Sequence, residues 1–190
     1  VILRFADGFD RFLSRHDLFL DLTSYRLHGN VKRKDDGSAI LDVEVTALLD
    51  EFRGDLDWLA PVEDAADVLR GLMPMANIVV LSNVTEGQAP ARLRNFAKHD
   101  LDFPLLVNSG PKGPAVKAIA ARAMRPAFFI DDIPQHHASV AEAAPDVFRI
   151  HLIGDDRLKA LLPVSPHAHL RAEHWRDADQ FIRAKLAETN

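Results

Sequence analysis

Apolar residues recur along this chain in two patterns, helical stripes and short unbroken runs. Phe5, Phe9, Phe12 and Leu13 share one face of a helix predicted over residues 5–16, although Gly8 weakens it. Leu18-Phe19-Leu20-Asp21-Leu22 reads as a short strand ending at a carboxylate, or as a turn between helices. Residues 29–37 are polar, with Lys32, Arg33 and Lys34 beside Asp35 and Asp36, and suit an exposed loop or hairpin. Val45, Leu48, Leu49 and Phe52 give a helix over 42–53. Trp58 and Leu59 then precede Pro61, which closes this region. A helix over 63–72 buries Val68, Leu69 and Leu72, with Glu63 and Asp64 in its first turn.

From there the pattern alternates. Ile78-Val79-Val80-Leu81 reads as a buried strand and runs into Ser82-Asn83. A helix over 89–99 anchors on Leu93 and Phe96. Pro104-Leu105-Leu106-Val107 is a second strand, stopped by the turn Asn108-Ser109-Gly110-Pro111. Lys112-Gly113-Pro114 opens a helix from Ala115 to Met124 that buries Val116, Ile119, Ala120 and Ala123. Phe128-Phe129-Ile130 is a third strand and meets Asp131-Asp132. A short helix over 138–144, a strand over 147–153, a turn at Gly154-Asp155-Asp156 and a short helix over 158–162 follow. The histidine-containing stretch after Pro163 reads as loop, and a last helix over 177–186 carries Phe181, Ile182 and Leu186. This alternation predicts an α/β fold, a doubly wound and mostly parallel sheet flanked by helices.

Composition narrows the function. The 190 residues are 47% hydrophobic, enough for one sizeable core with a small appended lobe. The net charge is -5 and no basic block exceeds three residues, which argues against a nucleic-acid partner. There is no cysteine, so disulfides and thiolate chemistry are excluded. No run of apolar residues is long enough to predict a membrane span. No basic-then-apolar leader opens the stretch, which favours the cytoplasm, and Val1 in first place leaves room for preceding residues.

Three predicted strands end in polar groups: Ser82-Asn83, the turn before Lys112, and Asp131-Asp132. In a parallel sheet these ends share one edge, where ligands bind. A hydroxyl and backbone amides can hold phosphoryl oxygens, an ammonium can neutralise them, and paired carboxylates can hold Mg²⁺. The helix beginning near Gly113 would add its amides. Each position alone also has a plain reading: Ser82-Asn83 as a turn, Lys112 as solvated surface, Asp131-Asp132 as a loop start. His136-His137 diverge too far for a metal site, and His167, His169 and His174 read as solvated surface. Asp155-Asp156 reads as a surface turn, and Trp58 and Trp175 as packing residues.

In their order and spacing these motifs resemble the haloacid dehalogenase superfamily over residues 61–153. The resemblance implies a Rossmannoid core over 1–17 and 61–190, with a small partly helical cap over 18–60. It implies Ser82 and Asn83 as phosphate-binding residues, and Lys112 as both a catalytic and a phosphate-binding residue. Asp131 and Asp132 would be ligands of Mg²⁺, and the substrate a small phosphorylated metabolite hydrolysed through a phospho-aspartate. The family's first motif, which carries the attacking aspartate, has three candidate positions. It lies at Leu18–Thr23 with Asp21 attacking and Thr23 where a second acid usually stands, as in the superfamily's phosphorylated ion pumps. Alternatively it precedes Val1, with Val1-Ile2-Leu3 as its continuation. Or it has decayed to Phe5-Ala6-Asp7-Gly8, giving a non-catalytic relative. A binding protein on the same sheet is therefore the main rival. Carbon–halogen hydrolysis is a second. A dinucleotide-binding protein is disfavoured, since no glycine-rich loop follows a strand. Substrate and oligomeric state are not legible.

Overall fold

The computed structural model describes residues 1–188 apart from Asp55, Asp57, Trp58 and Met124. The readings that involve Trp58 and Met124 lie outside the described residues.

The chain starts by running antiparallel to its own residues 60–62. Leu3 bridges Pro61, Arg4 N–H donates to Ala60 O at 2.8 Å and Val62 N–H to Ile2 O at 2.8 Å. Everything between leaves from and returns to this point. It comprises helix α1 (Phe5–Leu13), a 3₁₀ turn (Ser14–His16), strands β1 (Leu18–Leu20) and β2 (Val31–Arg33), and helix α2 (Asp42–Gly54). The predicted phenylalanine stripe holds this unit together. The Phe52 ring of α2 lies 5.3–5.4 Å from those of Phe5, Phe9 and Phe12 on α1. Phe9, Leu13 and Phe52 are fully buried. β1 and β2 pair antiparallel, Leu18 with Arg33 and Leu20 with Val31, so the basic segment is one arm of a hairpin. The Asp10 carboxylate accepts Leu20 N–H at 2.8 Å and ties that hairpin to α1.

The remainder follows the alternation: α3 (Ala65–Leu72), β3 (Val80–Ser82), α4 (Ala89–Lys98), β4 (Leu105–Val107), α5 (Gly113–Ala123), β5 (Phe128–Asp131), α6 (Pro134–Ala143), β6 (Phe148–Leu152), α7 (Asp156–Lys159), β7 (Leu170–Ala172) and α8 (Trp175–Ala187). This is a small α/β architecture of parallel strands and flanking helices, of a generic Rossmannoid kind. Helix α6 begins earlier than the sequence suggests because Pro134 sits in its first turn, where a missing N–H costs nothing. Strand β7 was not predicted. Leu170-Arg171-Ala172 has no apolar run, and only pairing with β6 makes it a strand.

The predicted single sheet is in two pieces. β3 pairs parallel with β4, and β5, β6 and β7 form a separate parallel sheet. The two pieces nevertheless share their faces. Val80 and Leu105 turn to the same main core as Phe128 and Ile130. Leu81 and Phe129 turn the other way, to a second core around Val116, Val140 and Val147. Leu81 packs there while its ladder neighbour Leu106 is 43% exposed, so β3 is the inner strand and β4 the outer. The free edge of β3 therefore looks toward the free edge of β5. No ladder joins them among the described residues. The run from Ile78 to Leu81, predicted as buried, is correspondingly under-covered, with Val79 38% exposed. Among the described residues no helix is long and apolar enough to cross a membrane.

Candidate functional site

The three polar strand ends lie on one edge and are tied together. At the end of β3, Asn83 donates through its amide to Gly110 O at 3.0 Å and accepts from Asn108 Nδ2 at 2.7 Å. Asn108 N–H also donates to Ser82 O at 2.8 Å. The β3 tip is thus pinned to the turn after β4, and Asn83 shapes that turn. Ser82 is half-buried beside Val107 at the same end. Two residues past Gly110, Lys112 reaches the end of β5: its Nζ donates to Asp131 Oδ2 at 2.7 Å. The Lys112 side chain is 13% exposed and that of Asp131 4%. A pair so buried is held by geometry rather than screened by solvent.

The approach of α5 to α6 sets that geometry. A Cβ on Gly113 would lie 2.1 Å from Ser139 O, so only glycine allows the two helices to meet. Gly113 N–H donates to Ser139 Oγ at 3.0 Å. The first amide of α5, predicted to face a phosphoryl group, is therefore already used inside the protein.

The two acids are not equivalent. Both oxygens of Asp131 are engaged, Oδ2 by Lys112 and Oδ1 by Ile133 N–H at 2.9 Å. Asp132 is less buried, and what holds it is its main-chain carbonyl. As hard oxygen donors at a strand tip the pair fits Mg²⁺, which takes one or two carboxylates and completes its shell with water and phosphate. Of the two, Asp132 has the carboxylate better placed to bind a cation, with Asp131 as the counter-ion of Lys112. No group of three or more His, Asp or Glu that could cage a metal occurs among the described residues.

Sequence reasoning missed three groups here. His137 and His151, both fully buried, hold the main-chain carbonyls of the acid pair, Nε2 of each lying 2.9 Å from Asp131 O and 3.0 Å from Asp132 O respectively. Burial pushes both imidazoles below their ordinary range. The third is Tyr25 on the β1–β2 loop. Its phenol is shifted above its ordinary value, by desolvation first and then by the charges of Asp132 and Asp131, although the residue is 37% exposed overall. That loop is knotted by Asn30, only 2% exposed, which donates to Ser24 O at 2.8 Å and Arg26 O at 2.6 Å and accepts from Thr23 Oγ1 at 2.9 Å. Asn30→Ala should cost about 1–3 kcal/mol in urea unfolding, the penalty for orphaning buried polar groups. A loss below a few tenths would mean the loop is held otherwise.

Asp21 does not stand in the parallel layer. It follows β1 in the antiparallel hairpin, and its carboxylate is bound by Lys32 at 2.5 Å. His167, His169 and His174 are exposed, as expected; His169 Nδ1 accepts Arg149 N–H at 2.9 Å. Asp155 caps α7 and, with Asp7, grips Arg157. Trp175 packs in the core, with its indole N–H on Val1 O at 3.1 Å. A cleft of about 560 Å³ lies away from the acid pair, between Val62, Gly154 and the start of α8. Its helix end is already capped, because Asp177 accepts the N–H groups of Glu173 and His174 at 3.0 Å each.

The neutral histidines predict a pH dependence. Their imidazoles resist protonation in the folded state but take a proton near pH 6.5 when unfolded. Stability is then full above about pH 6.5 and is lost as pH falls below it. Urea midpoints at pH 7.5 and 5.5 should differ more for the natural chain than for His137→Gln. Equal pH slopes would rule this out.

Neither a scan of protein-family models nor a search of curated proteins finds a match to this chain.

Proposed function

We propose that this chain belongs to an Mg²⁺-dependent phosphohydrolase of the haloacid dehalogenase type, acting on a small phosphorylated metabolite. The single observation that carries the reading is the bond between Lys112 and Asp131, 2.7 Å long, which joins the loop after β4 to the tip of β5. In this reading Lys112 neutralises the transferring phosphoryl group, and Ser82 with nearby amides receives its oxygens. Bound Mg²⁺ would supply charge neutralisation and orientation at Asp132. Asn83 holds the turn that delivers Lys112. The attacking aspartate would end a strand paired with the free edges of β3 and β5, which would bring it between Ser82 and Asp131. The cytoplasm is the proposed location.

Hydrolysis of p-nitrophenyl phosphate with and without Mg²⁺, by protein that includes the strand bearing the attacking aspartate, tests the reading. The expected result is metal-dependent turnover, lowered by about 100-fold or more in Lys112→Ala and unchanged in Asp21→Asn. Turnover indifferent to Lys112→Ala would overturn it. A second reading, phosphate binding without turnover, is favoured by the ion pair that ties Asp21 to Lys32. Saturable binding of inorganic phosphate with no hydrolysis would establish that reading instead.

A further inference from the structure

The tip of a parallel strand leaves carbonyls without ladder partners, and buried ones must find donors. At the end of β5 two successive carbonyls are satisfied by two imidazoles from different elements. His137 of α6 lies with Nε2 2.9 Å from Asp131 O, and His151 of β6 with Nε2 3.0 Å from Asp132 O. A carbonyl only accepts, so Nε2 carries the proton in each ring. For His151 the other side of the ring agrees: Nδ1 accepts Ser165 N–H at 3.2 Å and faces the Arg171 guanidinium at 3.1 Å. For His137, Nδ1 is buried without a partner, so a proton there would be unsatisfied. The rings meet edge to face at 5.2 Å, and His137 also abuts Phe129 at 5.4 Å, which leaves neither free to turn.

The strand register completes the arrangement. Asp131, His151 and Arg171 are direct neighbours across β5, β6 and β7. Arg171 steadies His151, and His151 steadies the peptide that follows Asp131. Two consecutive peptide planes are thereby fixed by two rings in contact with each other, and with them the directions in which the two carboxylates leave the backbone.

We propose that His137 and His151 are positioning residues that aim the Asp131–Asp132 carboxylates by clamping their carbonyls as neutral Nε2–H donors. This rests on the reading of that strand tip as the working end of the site. Glutamine extends a donor about as far as Nε2 of histidine, while leucine fills the space without one. The test compares His137→Gln, His137→Leu, His151→Gln and His151→Leu. The first readout is the imidazole ¹⁵N pattern and the Asp131 and Asp132 carbonyl ¹³C shifts by NMR, without metal. The second is the Mg²⁺ dissociation constant by calorimetry. Expected are Nε2–H tautomers in the natural chain, carbonyl shifts moved by leucine and largely kept by glutamine, and Mg²⁺ binding weakened about 10–100-fold by leucine only. Nδ1–H tautomers, or carbonyl shifts that leucine leaves in place, would overturn the clamp. If the natural chain binds no Mg²⁺, the metal reading fails while the NMR readout still decides the clamp. Should a leucine variant not fold, the tautomers and the glutamine variants decide it.

Discussion

Replacing Lys112 by Met is expected to destabilise the protein by about 3–5 kcal/mol, measured by urea denaturation at pH 7.5. The reason is what remains. The Asp131 side chain is 4% exposed and would lose the one cation that pairs with it among the described residues, keeping Ile133 N–H. Methionine restores the length of the lysine but not its charge. Adding Asp131→Leu should then recover much of the loss, because a buried ion pair seldom outperforms a well-packed apolar pair of the same volume. The double variant should be stable and empty of function: no Mg²⁺-dependent turnover and no phosphate binding. That combination separates a pair kept for chemistry from one kept for the fold. A loss under about 1 kcal/mol in the single variant would put the pair in solvent, where such bonds contribute little.

Gly113→Ala is expected to cost about 3 kcal/mol and to impair the site beyond its effect on stability. Two terms oppose. Alanine is a better helix former than glycine by up to about 1 kcal/mol, less at a first helical position. Against this, the new Cβ would fall 2.1 Å from Ser139 O and 2.6 Å from Ser139 Oγ. The oxygen belongs to main chain of α6 and has no rotamer to change, so α5 and α6 must part. Steric cost wins. Parting them also strips Gly113 N–H of Ser139 Oγ and draws Lys112, one residue earlier, away from Asp131. Thermal unfolding together with phosphate binding checks this. An alanine variant as stable as the natural chain would mean the helices are free to separate.

Much of the architecture is written in local periodicity. The stripe Phe5, Phe9, Phe12, Leu13 specifies a helix with one buried side wherever it packs. The runs ending at Leu81, Val107 and Ile130, each with a polar residue or turn behind it, specify strands and the edge their tips share. The order of Ser82, Lys112 and Asp131 was legible for the same reason, since the sense of each strand follows from its neighbours. Those features need only the next few residues and the preference of apolar groups to leave water.

Other features depend on atoms far apart in the chain. Leu170-Arg171-Ala172 is a strand only because β6 offers it a ladder. That Asp21 follows an antiparallel strand and pairs with Lys32 is decided by β2, ten residues further on. Asn30 folds the β1–β2 loop by bonding carbonyls within it, and Gly113 matters because Ser139 lies against it. His137 stands out in sequence only as half of a histidine pair and His151 not at all, for a histidine in a helix or strand says nothing of which carbonyl it meets. Hydrophobic pattern sets which side of each element is buried; the partner of each buried polar atom is a matter of three-dimensional closure, and that is where this site acquires its chemistry.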